Sequence, residues 1–238
     1  MIKGTDSTVV LTDIRNFTGT FEKFQQDNNF NFMSFMDEYY EYNMKVAHEM
    51  SSGDLYLGTT GDGILSIFLD HENHCVDAYA HSLIMFRILS KMCESFTDSK
   101  LSFGIGIDSG KVFEKIKRVK NSLISTYLGT VINRTQRIEG VTKMFHHTNM
   151  AIGGNIYLNL VKRYYPSKYD LLNKNYENFD RLVFENPEAI LLSKEFLIYY
   201  IFEITLKGIE TPLPIFRLSP HIANQDKYFW KVMKKLKP

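Results

Sequence analysis

The stretch VVLTDIRNFTGT, residues 9–20, decides how this chain is read. Val9, Val10 and Leu11 make a short apolar run of the kind that forms a buried strand. The run ends on a carboxylate, Asp13, and passes at once into Arg15-Asn16-Phe17-Thr18-Gly19. An aspartate after a strand is ordinarily a turn or cap residue. Its meaning changes if a second carboxylate reaches the same place. Asp62 is the candidate: DLYLGTTGDGILSIFLD, residues 54–70, reads as two strands joined by a tight turn whose chemistry comes from Gly61-Asp62-Gly63.

The remaining pattern places these two segments in one sheet. A helix is predicted from about residue 30 to residue 50, where Phe32, Phe35, Met36, Tyr39, Tyr40, Met44 and Ala47 recur at helical spacing. Residues 72–96 form a second amphipathic helix. LSFGIGIDSGKVF, residues 101–113, is a strand or two strands bent around Gly110, followed by a basic stretch from Lys111 to Lys120 and a strand at SLISTYL. TVINRTQRIEG reads as a short helix closed by Gly140. The order β-α-β-β-α-β is that of a ferredoxin-like α+β sheet with two helices on one face. A single domain is expected over residues 1–220, with residues 164–200 as an irregular elaboration. Residues 221–238 form a basic tail; from Lys227 to Pro238 it carries five lysines beside Phe229, Trp230, Met233 and Leu236. That tail suits a packed or partner-binding helix, or attachment to a membrane surface.

Composition narrows the classes. A net charge of +1 offers no positive field for a polyanion, so nucleic acid is not an expected partner. Cys75 and Cys93 lie in a helical pattern without metal-ligand spacing and read as reduced packing residues. No apolar run reaches the roughly 18 residues of a membrane span. MIKGTDS lacks a signal-peptide apolar stretch, and a cytoplasmic protein without a transmembrane segment is expected.

In a ferredoxin-like sheet the first strand lies beside the hairpin, so Asp13 and Asp62 converge at one edge. Together they offer hard oxygen ligands for one or two Mg²⁺ or Mn²⁺ ions, with water and phosphate oxygens completing the shells. The RNFTG segment then has a use, because backbone N–H groups at a helix N-terminus bind phosphate. Asn133 and Arg137, four residues apart on a predicted helix, share a face. That pair is either a solvated polar face or an amide and a guanidinium aimed at a sugar and a reacting phosphate. Lys207, just before Gly208, is by itself an ordinary turn lysine.

VVLTDIRNFT, TTGDGILSIF, FGIGIDSGKV, YLGTVINRTQRIEG and LKGIETPLPIFRL occur in the order and approximate spacing of the class III nucleotide cyclases, which the chain resembles over residues 7–160 and 200–218. The resemblance implies that Asp13 and Asp62, with the backbone carbonyl of Ile14, hold two Mn²⁺ or Mg²⁺ ions per site. It implies that Phe17 and Thr18 lie beneath the triphosphate, that Asn133 orients the ribose, that Arg137 stabilises the transition state and that Lys207 binds phosphate. It also implies a head-to-tail homodimer with two shared active sites acting on a nucleoside triphosphate. Each site takes its metal groups from one protomer and Asn133, Arg137 and Lys207 from the other.

Substrate choice in that family rests mainly on two positions, and the sequence departs at both. Gly58 stands where adenylate cyclases have lysine and guanylate cyclases glutamate. Thr126 stands where they typically have aspartate and often cysteine, respectively. Gly104 stands where many relatives have a phosphate-contacting arginine. A purine pocket would lose its charged hydrogen-bonding partners here. The chain is similar to the pyrimidine cyclases of bacterial Pycsar antiphage systems, which make cyclic UMP or cyclic CMP to activate a separate effector. UTP is expected ahead of CTP; Thr126 does not decide between them, since its hydroxyl both donates and accepts. Tyr56 shares a strand face with Gly58 and serves either sheet packing or contact with a small base. The alternatives are a purine cyclase and an inactive nucleotide- or partner-binding module. A diguanylate cyclase is disfavoured because the hairpin turn reads Gly-Asp-Gly, and a palm polymerase by the absence of a basic template channel.

Overall fold

In a computed structural model, the chain is described at residues 4–27, 30–69, 72–96, 100–120, 122–144, 149–164, 166–167, 169, 190–193, 196–205 and 213–220. β1 (Thr5–Arg15) leads into α1 (Phe17–Asp27) and α2 (Phe30–Met50), then the hairpin β2 (Asp54–Thr59) and β3 (Gly63–Leu69). α3 (His74–Ser95) precedes β4 (Ser102–Val119), β5 (Ser122–Leu128), α4 (Thr130–Val141), β6 (Met150–Gly153) and α5 (Gly154–Tyr164). β7 (Ile190–Ser193), β8 (Phe196–Ile204) and β9 (Leu213–Pro220) follow.

The sheet runs β2-β3-β1-β4-β6-β9-β8-β7, with β5 paired to β4 alone. Its first four strands have the ferredoxin-like arrangement, with β1 central between β3 and β4 and antiparallel to both. β6 joins β4 in parallel, and β9 and β8 extend the sheet beyond it. Strands within the 164–200 elaboration therefore belong to the same sheet. The basic tail and Lys207 lie outside the described residues.

β1 is covered on both faces, which is why it is an unbroken apolar run. One face, with Val10 and Ile14, packs against Phe32, Phe35, Met36 and Tyr39 of α2, against Tyr79, Met85 and Leu89 of α3 and against α5. Fully burying a large apolar side chain contributes about 1.5–3 kcal/mol relative to exposure. The other face carries Val9, packed with Ile67, Val112 and Val131 of α4. α4 thus lies opposite α2 and α3, so the helices are not confined to one face.

Three local expectations change. β4 is one 18-residue strand running through Gly110 and most of the basic stretch, because its outer half is held in register by β5. α4 continues through Gly140 to Val141. A Cβ there would meet nothing within 4 Å, so the helix needs no break at that residue. Along α2, Met44 is 46% exposed while Asn43 is fully buried, so a polar residue occupies the core position.

Candidate active site

Asp13 occupies the last turn of register in β1, opposite Gly63 on β3 and Gly104 on β4. Neither neighbour has a side chain, and the space beside them is taken by Thr60 at Gly63 and by Glu139, Thr142 and Arg15 at Gly104. Thr60 and Gly63 close a two-residue loop, the Thr60 amide donating to the Gly63 carbonyl at 2.8 Å. Gly61 takes φ +84° there, a conformation that favours glycine, and Asp62 follows it. The Ile14 amide donates to the Asp62 carbonyl at 3.3 Å, tying the two carboxylate-bearing segments together.

α2 holds both segments from behind. Tyr39 Oη donates to the carbonyl of Thr12 at 3.0 Å and lies 2.8 Å from its hydroxyl. Tyr40 Oη donates to the carbonyl of Gly61 at 2.6 Å. Two consecutive tyrosines thus anchor the residues immediately before Asp13 and before Asp62. Asn43 Nδ2 donates to Thr12 Oγ1 at 2.9 Å, and Asn43 Oδ1 pairs with His81 Nε2 at 3.1 Å. Complete burial lowers the His81 imidazole to about 3, so the network behind Asp13 is neutral. Tyr39→Phe removes the buried hydrogen bonding of its hydroxyl to Thr12 and is expected to cost about 0.5–1.5 kcal/mol of stability. Tyr40→Phe, at a bond facing solvent, costs distinctly less. Urea denaturation of the two variants checks that order, and equal losses would contradict the anchoring described.

The charges are unevenly balanced. Burial first, and then the charge of Asp13, hold the Asp62 carboxyl above the ordinary carboxylate range. Lys143 Nζ lies 3.0 Å from Asp13 Oδ2 and 3.4 Å from Glu139 Oε2. Partial burial works against the Lys143 ammonium, yet these carboxylates keep it above the usual amine value. Two carboxylates at one edge, one of them disfavoured by the other's charge, are a donor set that a divalent cation relieves, and hard oxygen ligands suit Mg²⁺ or Mn²⁺. Among the described residues there is no group of three or more His, Cys, Asp or Glu side chains suited to a metal. Further ligands would come from backbone, water or phosphate oxygens.

The neighbouring elements supply the other groups. Asn16, at φ +63°, turns β1 into α1, and its carbonyl accepts from the Thr20 amide and hydroxyl. The first N–H groups of α1 have no helical partner by construction. Phe17 faces inward, its ring stacked on Phe21 at 5.6 Å and near Phe32 at 5.5 Å, while Thr18 is exposed. Phe17 is thus a packing residue whose backbone begins the helix.

Asn133 is exposed and Arg137 half-buried on α4, whereas Val131, Thr135, Ile138 and Glu139 face the protomer's own sheet. The fit is close: a Cβ on Gly106 of β4 would lie 2.5 Å from the Thr135 carbonyl and the Glu139 amide. Arg134 Nε binds Asp108 Oδ2 at 2.5 Å and its Nη2 donates to the Ser109 carbonyl at 2.9 Å, fixing the start of the helix. Among the described residues, neither Asn133 nor Arg137 makes a hydrogen bond or ion pair. Neither is in hydrogen-bond or ion-pair contact with Asp13 or Asp62 of its own chain.

A tyrosine pair lies between the segments that carry Gly58 and Thr126. Tyr56, two residues from Gly58, packs on Tyr127, next to Thr126, with ring centroids 4.7 Å apart. Sheet packing is thus its established role. Its hydroxyl also covers Gly58: a Cβ there would lie 3.0 Å from Tyr56 Oη.

Comparison with known proteins follows this geometry. No family model matches the chain. Over 141 residues, 58% of the chain, it is 30% identical to the terminal-differentiation specific adenylate cyclase of Dictyostelium discoideum, covering 6% of that protein. Over 165 residues, 64% of the chain, it is 27% identical to an adenylate cyclase of Anabaena cylindrica, covering 30% of it. The chain therefore spans less than a third of either curated relative. The crystal structure of the adenylyl cyclase CyaB from P. aeruginosa matches with a TM-score of 0.65 at 16% identity, over 94% of this chain and 98% of that one. The relatives and structural neighbours are adenylyl and guanylyl cyclases of class III, and the α+β fold of this chain is that of their catalytic domains.

Proposed function

We propose that the chain is a nucleotidyl cyclase domain that converts a pyrimidine nucleoside triphosphate, UTP or CTP, into its 3′,5′-cyclic monophosphate and pyrophosphate. The observation that carries the cyclase reading is the convergence of Asp13 and Asp62 at one sheet edge, tied through Ile14 and anchored by Tyr39 and Tyr40. In the reaction the ribose 3′-oxygen forms a bond to the α-phosphorus and loses its proton to solvent, while the bond from that phosphorus to the bridging oxygen breaks and pyrophosphate leaves. Bound at Asp13, Asp62 and the Ile14 carbonyl, Mn²⁺ or Mg²⁺ would supply charge neutralisation and acidify the attacking hydroxyl. The protein's own contribution is placement: the N-terminus of α1 at the phosphates, Asn133 on the ribose, and Arg137 on the charge that develops at phosphorus. Lys207 adds a phosphate contact in this reading.

The site requires two copies. Asn133 and Arg137 face away from their own sheet, as groups meant for a second protomer would. The β4–β5 ribbon beside them exposes Phe113, Ile116 and Leu128, the last two by 62% and 55%. Such a surface suits burial against another copy in a head-to-tail homodimer.

The pyrimidine assignment is supported by Tyr56. Its hydroxyl covers the space into which a lysine or glutamate at position 58 would extend, so the position offers neither a charge nor a free cavity to a purine edge. A small base presenting one carbonyl or amino group to the Tyr56 hydroxyl fits better. A cyclic pyrimidine product would serve as a second messenger in antiphage defence, as the sequence resemblance implies. The purine reading draws its support from the adenylate cyclase relatives.

Incubating the protein with ATP, GTP, CTP and UTP separately in Mn²⁺, and identifying products by mass spectrometry, tests both levels. Cyclic UMP or cyclic CMP as the dominant product is expected. Cyclic AMP alone would overturn the pyrimidine assignment, and nucleotide binding without any product would make the domain a binding module.

A further inference from the structure

The cluster around Lys143 carries an inference that rests on the cyclase reading and extends it. Lys143 follows α4, the helix that presents Asn133 and Arg137 outward, yet its ammonium turns back onto Asp13 of its own protomer at 3.0 Å. The lysine side chain is 51% exposed and the Asp13 side chain 17%, so the ion pair sits at the mouth of the site and is free to part. Beside it, a Cβ on Gly104 would meet Glu139 Oε1 and Thr142 Oγ1 and would lie 3.1 Å from Arg15 Nη2. Arg15 in turn donates to Thr142 Oγ1. Asp13, Glu139, Arg15 and Lys143 thus form one group, which Asp62 joins as a third carboxylate against two cations.

A divalent cation on Asp13 and Asp62 turns that excess of negative charge into an excess of positive charge. It repels the ammonium that holds the same carboxylate oxygen, and of the two cationic side chains Lys143 is the one that reaches solvent. Arg15 is more than half buried and engaged with Thr142. The nearest new negative charge would be the triphosphate carried on the same cations, next to the residue Lys143 has just released.

We propose that Lys143 is a transferable countercharge: it neutralises Asp13 in the nucleotide-free protein and, on loading, passes to the terminal phosphates of the nucleoside triphosphate. There it takes the place of a cationic side chain that Gly104 does not provide. Lys143 is therefore a substrate-contact residue contributed by the metal-binding protomer, on the side of the site opposite Arg137.

The signature is a pair of affinity changes of opposite sign. Lys143→Met keeps the apolar stem and removes the charge. Mn²⁺ binding to the nucleotide-free full chain is measured by electron paramagnetic resonance of the free ion. Nucleotide binding is measured in Mn²⁺ with 3′-deoxy-UTP and 3′-deoxy-ATP, which lack the attacking hydroxyl. Lys143→Met is expected to bind Mn²⁺ about two- to five-fold more tightly, the scale of an exposed ion pair. It is expected to bind the better of the two nucleotides about tenfold more weakly, the scale of a charge-assisted hydrogen bond. Lys143→Arg should bring both values back toward those of the unsubstituted protein. Affinities that fall together, rise together or stay unchanged would overturn the proposal, since a merely structural lysine gives no opposed pair. Mn²⁺ binding that Asp13→Asn leaves untouched would instead remove the active-site reading on which it rests.

Discussion

Asp13→Ala and Asp62→Ala are each expected to lower cyclic-nucleotide formation by about three orders of magnitude or more, the effect of removing several kcal/mol of charge stabilisation from the reacting phosphate. Neither change threatens the fold, because both side chains sit at the sheet edge and not in the core. The two variants differ in stability. Asp62 is held unfavourably by burial and by the charge of Asp13, so the metal-free Asp62→Ala protein is expected to melt at or above the unsubstituted temperature. Asp13→Ala removes one of the two carboxylates that pair with Lys143, and its metal-free melting temperature is expected to fall slightly. Product analysis by mass spectrometry with thermal melts of the same samples separates the two quantities. Unimpaired turnover in either variant would end the assignment of these carboxylates.

Arg137→Ala is expected to lose about 10²- to 10³-fold in turnover, the scale of removing one group that stabilises developing charge. Its more informative use is in mixture. Asp13→Ala and Arg137→Ala proteins are inactive for different reasons. If each site combines Asp13 and Asp62 of one protomer with Asn133 and Arg137 of its partner, their heterodimer contains one intact site and one doubly defective site. Random exchange places half of the molecules in that heterodimer, so the mixture regains about a quarter of the unsubstituted activity. A mixture that stays as inactive as its parts would mean that each chain completes its own site, against the outward direction of the Asn133 face.

Much of this site is legible in the chain because it depends on local rules. A short apolar strand running into Asp13 and a Gly-Asp-Gly hairpin turn that closes β2 on β3 place two acids at one edge. Sheet pairing then does what the pattern requires, Asp13 lying opposite Gly63. The helical spacing of Asn133 and Arg137 likewise survives intact. What eludes a sequence reading is tertiary. α1 begins at Phe17, well before the strong apolar periodicity at residue 30, and its helix is set by the turn at Asn16 and by a cluster of phenylalanines that only the fold assembles. Tyr39 and Tyr40 read as core aromatics, whereas their hydroxyls reach main-chain carbonyls 27 and 21 residues away along the chain. Lys143 lies 130 residues from Asp13, and no spacing rule joins them. Asn43 did leave a trace, since a polar residue between core positions of an amphipathic helix marks a buried network. Lys207 and the basic tail fall outside the described residues, and their roles rest on the sequence alone.

The twin hydroxyl anchors have a mechanical consequence. Neighbouring residues of a helix point about 100° apart around its axis. Twisting α2 would therefore tug one acid-bearing segment while slackening the other, whereas sliding it lengthwise would carry both along. The spacing of the acids is fixed first by the β1–β3 pairing, and α2 braces it from two directions at once.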